Sequence, residues 1–480
     1  MPVQAPAEDV RQGAQPARSR CIHAPAGRSR LAISPWMYPR HGAVTKTSRM
    51  LDMTWIRPRH HFLESACPDM RGGNSGEHSL KSDATAGFWR ISDALRRVQR
   101  TAIEIENAPE KRKRLRSFTV PEIADLLHIE RPELLAACGQ SDRGWFQPRT
   151  LLSFLDVQTA RKALATKRGD LRFRPQRDPA REEALAIVAF ANFKGGSGKT
   201  TSAVHFAQYM ALSGYRVLVI DLDSQGSATA LFGIDPGQEV TLANSFTGWL
   251  ERGCALSSNL SLKTYWPSID LLAGGPILQQ AEFMLAQRAA VQDRATIPHW
   301  AELARYLASV QDQYDVAVLD TRPDVNMLMV NALHTATGVV VPTQATMVDL
   351  SSTGEFFGFL GGYIDEMKPL IGAAAPEFAF TKVLVTRFLP AEKSQVALWD
   401  LMKSRFGAAL LPQPMLHTTV MGTAGVGKET IYEYEPVNDR KAYDRAVSSL
   451  MSVNRSLEAE ILRFWGRPVP WKIVSEVEFA

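Results

Sequence analysis

Phe193-Lys194-Gly195-Gly196-Ser197-Gly198-Lys199-Thr200-Thr201 gathers two lysines, three glycines and two threonines into nine residues. Gly195, Gly196 and Gly198 lack Cβ atoms, so the backbone is free to aim successive N–H groups into one anion-sized hollow. Lys199 adds a point charge and Thr200 a hydroxyl suited to Mg²⁺. Ahead of the loop, residues 184–192 form an apolar run of strand length; behind it, residues 200–213 have helical composition and stop at Gly214. Strand, loop and helix in that order place a helix N-terminus under bound phosphates.

The strict pattern G-x-x-x-x-G-K-[ST] fails here, because Phe193 occupies the position of the first glycine and Lys194 stands directly ahead of the glycines. Gly422, Gly427 and Lys428 match the spacing better, but Glu429 replaces the hydroxyl. A carboxylate there repels phosphate, so that second loop reads as a surface turn.

Two acidic motifs follow apolar runs: 217–226 (VLVIDLDSQG) and 316–323 (VAVLDTRP). Strand ends are where an open α/β sheet exposes its ligand site. Asp320 is the candidate for a Mg²⁺ shell, reached through water, and Asp223 for orienting or deprotonating water. Asp221 is assigned either to the loop or to the metal shell. Strand candidates at 217–221, 269–272, 316–320, 338–342 and 382–386 alternate with helical segments, and residues 440–464 read as a closing helix. The pattern predicts an α/β P-loop NTPase with a mostly parallel sheet flanked by helices.

At 480 residues, with 45% hydrophobic and 22% charged residues, the chain has the composition of a soluble protein of two or three domains. No apolar stretch reaches membrane-span length and Met1 to Arg20 lacks a secretory core, so a cytoplasmic location without membrane is expected. Cys21, Cys67, Cys138 and Cys254 are scattered, which argues against a disulfide framework or metal cluster. Charge is uneven: residues 1–180 carry 31 Lys and Arg against 19 Asp and Glu, while 181–480 carry 24 against 31. A basic N-terminal region points to a polyanion, DNA above all.

Residues 1–84, rich in Ala, Arg, Pro, Gly and Ser, read as a disordered basic extension, with Met50, Met53 and Met70 as candidate starts. Phe88, Ile91, Ala94, Leu95, Val98, Ala102 and Ile105 recur at helical spacing, a narrow apolar face for pairing with a second copy or packing on its own domain. A basic run, 111–116, precedes Thr119, which caps a helix with Pro121 in its first turn; a turn at His128 and Ile129 leads to a second helix from about Pro132 to Cys138. This is the layout of a helix-turn-helix, winged if Trp145, Phe146 and Arg149 belong to a following strand. Arg112, Arg114, Arg131, Glu133 and Arg149 are the candidate DNA contacts. The expected order is a DNA-binding domain at 85–166, a linker at 167–183, a nucleotide domain at 184–467 and a tail at 468–480.

Lys194 to Thr201, Asp221-Leu222-Asp223-Ser224-Gln225 and Asp320-Thr321-Arg322-Pro323 resemble the deviant Walker A ATPases, specifically the ParA partition family. Pro342 to Asp349, Met415 to Thr419 and the stretch from Tyr443 to Arg467 are similar to its RepA branch in repABC plasmids, and the resemblance spans residues 88–467. It implies that Lys194 reaches the phosphates of a partner subunit across an ATP sandwich dimer. Gly195, Gly196, Ser197, Gly198 and Thr201 cradle phosphate, Lys199 and Thr200 bind phosphate and Mg²⁺ in their own subunit, and Asp223 activates water.

The resemblance further implies a homodimeric ATPase that segregates a low-copy plasmid or secondary chromosome. It binds DNA both nonspecifically and at its own promoter, associates with the nucleoid, and is released by a ParB- or RepB-type partner. The alternative is a repressor that senses nucleotide without turning it over. A membrane-surface ATPase similar to MinD fits less well behind a DNA-binding layout, and an iron-protein relative would need cluster cysteines. Two departures stand out: Ser224 and Arg322 each occupy a position where the family commonly has proline.

Overall fold

The computed structural model describes residues 86–95, 97, 113–138, 151–173, 175–252, 259–290, 298–421, 428–435 and 440–471. The 1–84 extension, Arg112, Trp145, Phe146, Arg149, the Gly422–Gly427 part of the second loop and the end of the tail lie outside the described residues.

A seven-stranded sheet has the order β5-β6-β4-β7-β3-β8-β9. Its strands are β3 (Ala186–Phe190), β4 (Val217–Asp221), β5 (Leu262–Lys263), β6 (Ile269–Leu272), β7 (Val316–Asp320), β8 (Gly338–Gln344) and β9 (Phe380–Thr386). All neighbours run parallel except the edge pair β5 and β6. The strand candidates of the sequence are all present, with β8 and β9 longer than expected. Two-residue β5 escaped notice because Leu262 and Lys263 are too few to show a period.

Alternation along the strands sorts side chains to two helical layers. Val217, Val219, Val316 and Val318 face a core shared with α4 (Lys199–Leu212) and α12 (Arg440–Phe464). Leu218, Ile220, Ala317 and Leu319 face the opposite core, covered by α8 (Glu302–Val310) and α9 (Met327–Thr335). Burial on both faces explains why these strands read as continuous apolar runs. Also present are α5 (Ser227–Leu231), α6 (Phe246–Arg252), α7 (Leu278–Ala290), α10 (Met347–Ile371) and α11 (Lys393–Phe406).

Ahead of the sheet, β1 (Phe118–Thr119) pairs antiparallel with β2 (Leu151–Leu152), framing α1 (Val120–Leu127), α2 (Arg131–Cys138) and α3 (Phe154–Arg168). Thr119 forms a capping box: Glu122 N–H donates to its hydroxyl while Glu122 Oε2 accepts from Thr119 N at 2.7 Å. The turn is made by His128 in the left-handed region, φ +51°. Ile123, Leu134, Leu152 and Leu164 join the same apolar core as Phe206 and Trp266 of the sheet domain. Residues 86–95 are helical, with Phe88 73% exposed and Ile91 and Leu95 also exposed, whereas Val98, Ala102 and Ile105 of the expected face lie outside the described residues.

Within the stretch expected as a linker, 167–183, Arg177 Nε donates to Tyr314 O at 2.9 Å and Glu183 is bound by Arg467 at 2.6 Å, both charged groups being buried. Each of these two has a partner, which is the condition for burying a charge.

Thr119→Ala removes one side of the capping box. It is expected to weaken α1 by about 1 kcal/mol, seen as faster amide hydrogen exchange over residues 120–127; unaltered protection there would contradict the cap.

Candidate functional site

β3 runs straight into the glycine loop, and α4 starts at Lys199. Gly196 and Gly198 take φ +75° and +93°, the positive values for which glycine is suited. The ends of β9 and β8 hold the loop: Thr386 Oγ1 donates to Ser197 O at 2.7 Å and Gln344 Nε2 to Gly196 O at 3.2 Å, while Asn192, between β3 and the loop, donates from Nδ2 to Pro342 O at 2.8 Å. A Cβ on Gly198 would sit 3.3 Å from Thr386 Cγ2. Thr386, Gln344 and Asn192 lacked any motif of their own in the sequence, since their role comes from the ends of β8 and β9 meeting the loop in space. Phe193, where the strict pattern wants glycine, packs edge-on to Phe356 with ring centroids 5.2 Å apart.

Lys199 Nζ donates to Lys194 O at 2.9 Å, so the two lysines belong to one turn of chain. Burial lowers the Lys199 pKa, against the opposing charges of Asp320, Asp223 and Asp324. Those three carboxylates therefore share its surroundings. Lys194, Thr200 and Thr201 are half-buried, and Gly195 and Gly196 are exposed.

Asp221 is held by the turn and helix that follow its own strand. Its Oδ2 accepts from Thr229 N and Oγ1, each at 2.8 Å, and its Oδ1 from Asp223 N at 3.0 Å. Gly274 N in turn donates to Thr229 Oγ1 at 2.8 Å, and a Cβ on Gly274 would lie 2.5 Å from Asp221 Cγ. Burial pushes Asp221 up to about 6, with the Thr229 bonds opposing. Asp223 itself accepts from Gln225 N at 2.9 Å.

Asp320 differs. It is fully buried, yet neither carboxylate oxygen has a hydrogen-bond partner. Burial, and Asp221 opposite it, raise its pKa well above the usual carboxylate range, while Thr200 and Lys199 oppose the rise. A buried acceptor left without a donor marks a place built for one. Ser197 Oγ, also buried and unpartnered, lies in the glycine loop. This donor set, a hydroxyl and a carboxylate beside a lysine, suits a hard divalent cation next to phosphate.

The DNA-contact candidates divide. Arg131 and Arg114 are exposed. Glu133 is half-buried in an ion pair with Arg168 at 2.5 Å. Within the basic run, Lys113 and Arg116 point inward. Lys113 Nζ donates to Leu231 O at 2.7 Å and to Glu433 at 3.2 Å, and Arg116 Nε to Tyr432 O at 2.9 Å. Part of the cluster that read as a DNA surface thus clamps the N-terminal elements to the sheet domain. In the second loop, Lys428 is left-handed and its carbonyl accepts from Lys113. Arg322, the departure after Asp320-Thr321, pairs with Asp324 at 3.2 Å and reaches Ser224 Oγ at 3.5 Å. Among the described residues, no group of His, Cys, Asp and Glu forms a metal cluster and no helix is long and apolar enough to cross a membrane.

Asp320→Asn replaces an unpartnered buried carboxylate. Because folding raises its pKa above the ordinary 3.8, its contribution to stability is fully present below about pH 4 and is lost as pH rises through the folded value. The substitution is expected to flatten the fall of Tm with rising pH in ligand-free protein and to raise Tm at neutral pH. Thermal melts across pH check this, and an unaltered profile would refute it.

A family model described as an AAA domain matches residues 185–369. "Putative replication protein A" of Rhizobium rhizogenes is 32% identical over 375 residues, covering 75% of this chain and 90% of that protein. Protein SopA of Escherichia coli K12 is 25% identical over 342 residues, 68% of this chain and 83% of SopA. A solved structure named "Partition Protein" superposes with a TM-score of 0.52 at 15% identity, over 77% of this chain and 98% of that one, a likeness of fold. With the lysine-bearing loop, the two aspartate-ended strands and 90% coverage of the rhizobial relative, the chain belongs to the ParA-type P-loop family, in the branch that includes the rhizobial plasmid replication proteins.

Proposed function

We propose that this chain is a Mg²⁺-dependent ATPase of plasmid or secondary-chromosome partitioning. The observation that carries the reading is the buried, unpartnered Asp320 beside Lys199 and Asp223 at the ends of adjacent strands. Gly195, Gly196, Ser197, Gly198 and Thr201 offer backbone and hydroxyl donors to phosphate, and Lys199 neutralises it. Thr200 and, through water, Asp320 hold Mg²⁺, which when bound supplies charge neutralisation to the phosphate oxygens. Asp223 orients and deprotonates the attacking water. Lys194 completes the site of a second subunit, so ATP favours a homodimer.

That dimer binds DNA nonspecifically, associates with the cytoplasmic nucleoid, and is released when a ParB- or RepB-type partner stimulates hydrolysis. Residues 85–166 form the operator-binding domain, with Arg112, Arg114, Arg131 and Arg149 facing DNA, and repress the protein's own operon; residues 184–467 form the ATPase domain. The basic excess of residues 1–180 supports the DNA reading.

Phosphate release measured with DNA and partner present tests the site. Lys199→Gln is expected to lower turnover by about 100-fold or more, and undiminished hydrolysis would remove the site. Lys194→Ala is expected to keep ATP binding and lose ATP-dependent dimerisation in analytical ultracentrifugation; a variant that still dimerises with ATP would contradict the shared site.

A further inference from the structure

β4 and β7 are paired in register, Asp221 opposite Asp320, and each runs on into a loop of the site. The loop after β4 is a tight turn. Asp223 N donates to Asp221, Gln225 N to Asp223 Oδ1 at 2.9 Å, and Gly226 N to Asp223 O at 2.9 Å, with Gly226 at φ +64°. Ser224 lies at the centre of that turn and is 7% exposed. The loop after β7 is anchored at Thr321, whose Oγ1 donates to Phe190 O at 2.9 Å. The next residue, Arg322, spans the gap: Nη1 donates to Ser224 Oγ at 3.5 Å and Nε pairs with Asp324 at 3.2 Å. Its charge also reaches Glu282, whose carboxylate caps α9 by accepting from Met327 N at 2.9 Å and Leu328 N at 3.0 Å.

Ser224 and Arg322, one from each loop, touch across the gap, and this side-chain bridge joins the two loops. It does for the turn what a proline, by fixing φ, does locally. We propose that Arg322 is a positioning residue for hydrolysis: through Ser224 it holds the turn that carries Asp223. The inference rests on the proposed role of Asp223. Arg322 itself touches neither phosphate nor water in this scheme. Its contacts with Asp324 and Ser224 are long and partly solvated, so each is individually weak; what they supply is alignment, and misplacement of a catalytic group by a fraction of an ångström to an ångström is costly in rate.

The experiment measures kcat, and separately the affinity for a fluorescent ATP analogue, with DNA and partner present. Wild type and Asp223→Ala come first. Turnover in the former and none in the latter, with binding retained, secures the role of Asp223 on its own; absence of turnover in wild type would instead be the failure of the ATPase reading. Arg322→Ala is then expected to lose roughly tenfold in kcat with nucleotide affinity unchanged. Ser224→Ala is expected to lose a similar factor, and the double variant no more than either alone, because the two act as one unit. Ser224→Pro in the Arg322→Ala background is expected to recover most of the rate, a rescue that a general folding defect would not show. Unchanged kcat in Arg322→Ala, an equal loss of nucleotide affinity, fully additive losses, or failure of the proline to rescue would each overturn the proposal.

Discussion

Parallel pairing of β7 between β3 and β4 holds Asp320 opposite Phe190 on one side and Asp221 on the other. The rest of the site depends on that register. β3 delivers the glycine loop, β4 the Asp223 turn and β7 the unpartnered carboxylate, all at the carboxyl ends of three central strands. A slip of one residue in any of the three would turn its apolar side chains to the wrong layer, since Val217 and Leu218 face different cores. Burial on both faces therefore fixes the chemistry: the alternation that fills two cores is also what makes three strands end together.

A second constraint is the buried carboxylate of Glu433. It accepts from Gln208 Nε2 at 2.8 Å, Trp266 Nε1 at 3.0 Å, Thr430 N at 3.0 Å and Lys113 Nζ, and from Tyr265 OH in a short bond. A buried charge with this many donors is satisfied, and removing one donor leaves the others holding an under-compensated anion. Lys113 belongs to the segment that leads into α1, and it also holds the carbonyl of Leu231 at the end of α5. Arg116 repeats the pattern on Tyr432, Glu122 and Tyr443. Further along, Trp471 stacks on His128 at the α1 turn, ring centroids 5.5 Å apart. β1, α1 and the segment before them are thus seated on the sheet domain by buried polar contacts as well as by the shared apolar core.

Much of this was legible in the sequence where a local rule applied. β4, β6 and β7 are apolar runs of four or five residues ended by turn residues, and their bounds match those read from the sequence; α12 does too, because its amphipathic period is long. Thr119 and Pro121 announced α1 by capping chemistry. What stayed illegible needed partners distant along the chain. Thr386 lies 189 residues from the carbonyl it supports, and Gly274 matters because Asp221 fills the space its side chain would take. Lys113 and Arg116 misled for the same reason: a cation run looks solvated until buried acceptors are known. In the stretch read as a linker, Arg177 and Glu183 each meet a partner supplied from more than 130 residues away.

The shifts in the site have one origin. Burial raises Asp320 and Asp221 and lowers Lys199, in each case as the largest cause and in each case against the charged form. Asp221 is compensated by donors from Thr229 and Asp223, and Lys199 by the carbonyl of Lys194, whereas Asp320 has only Thr200 and Lys199 to oppose its rise. The imbalance sits at one carboxylate, where added positive charge would be most stabilising. A cation bound near Thr200 favours the ionised form of Asp320, and phosphate oxygens favour the protonated form of Lys199, so each component makes the other's site less costly. In the proposed function, bound Mg²⁺ and phosphate would therefore compensate Asp320 and Lys199 together.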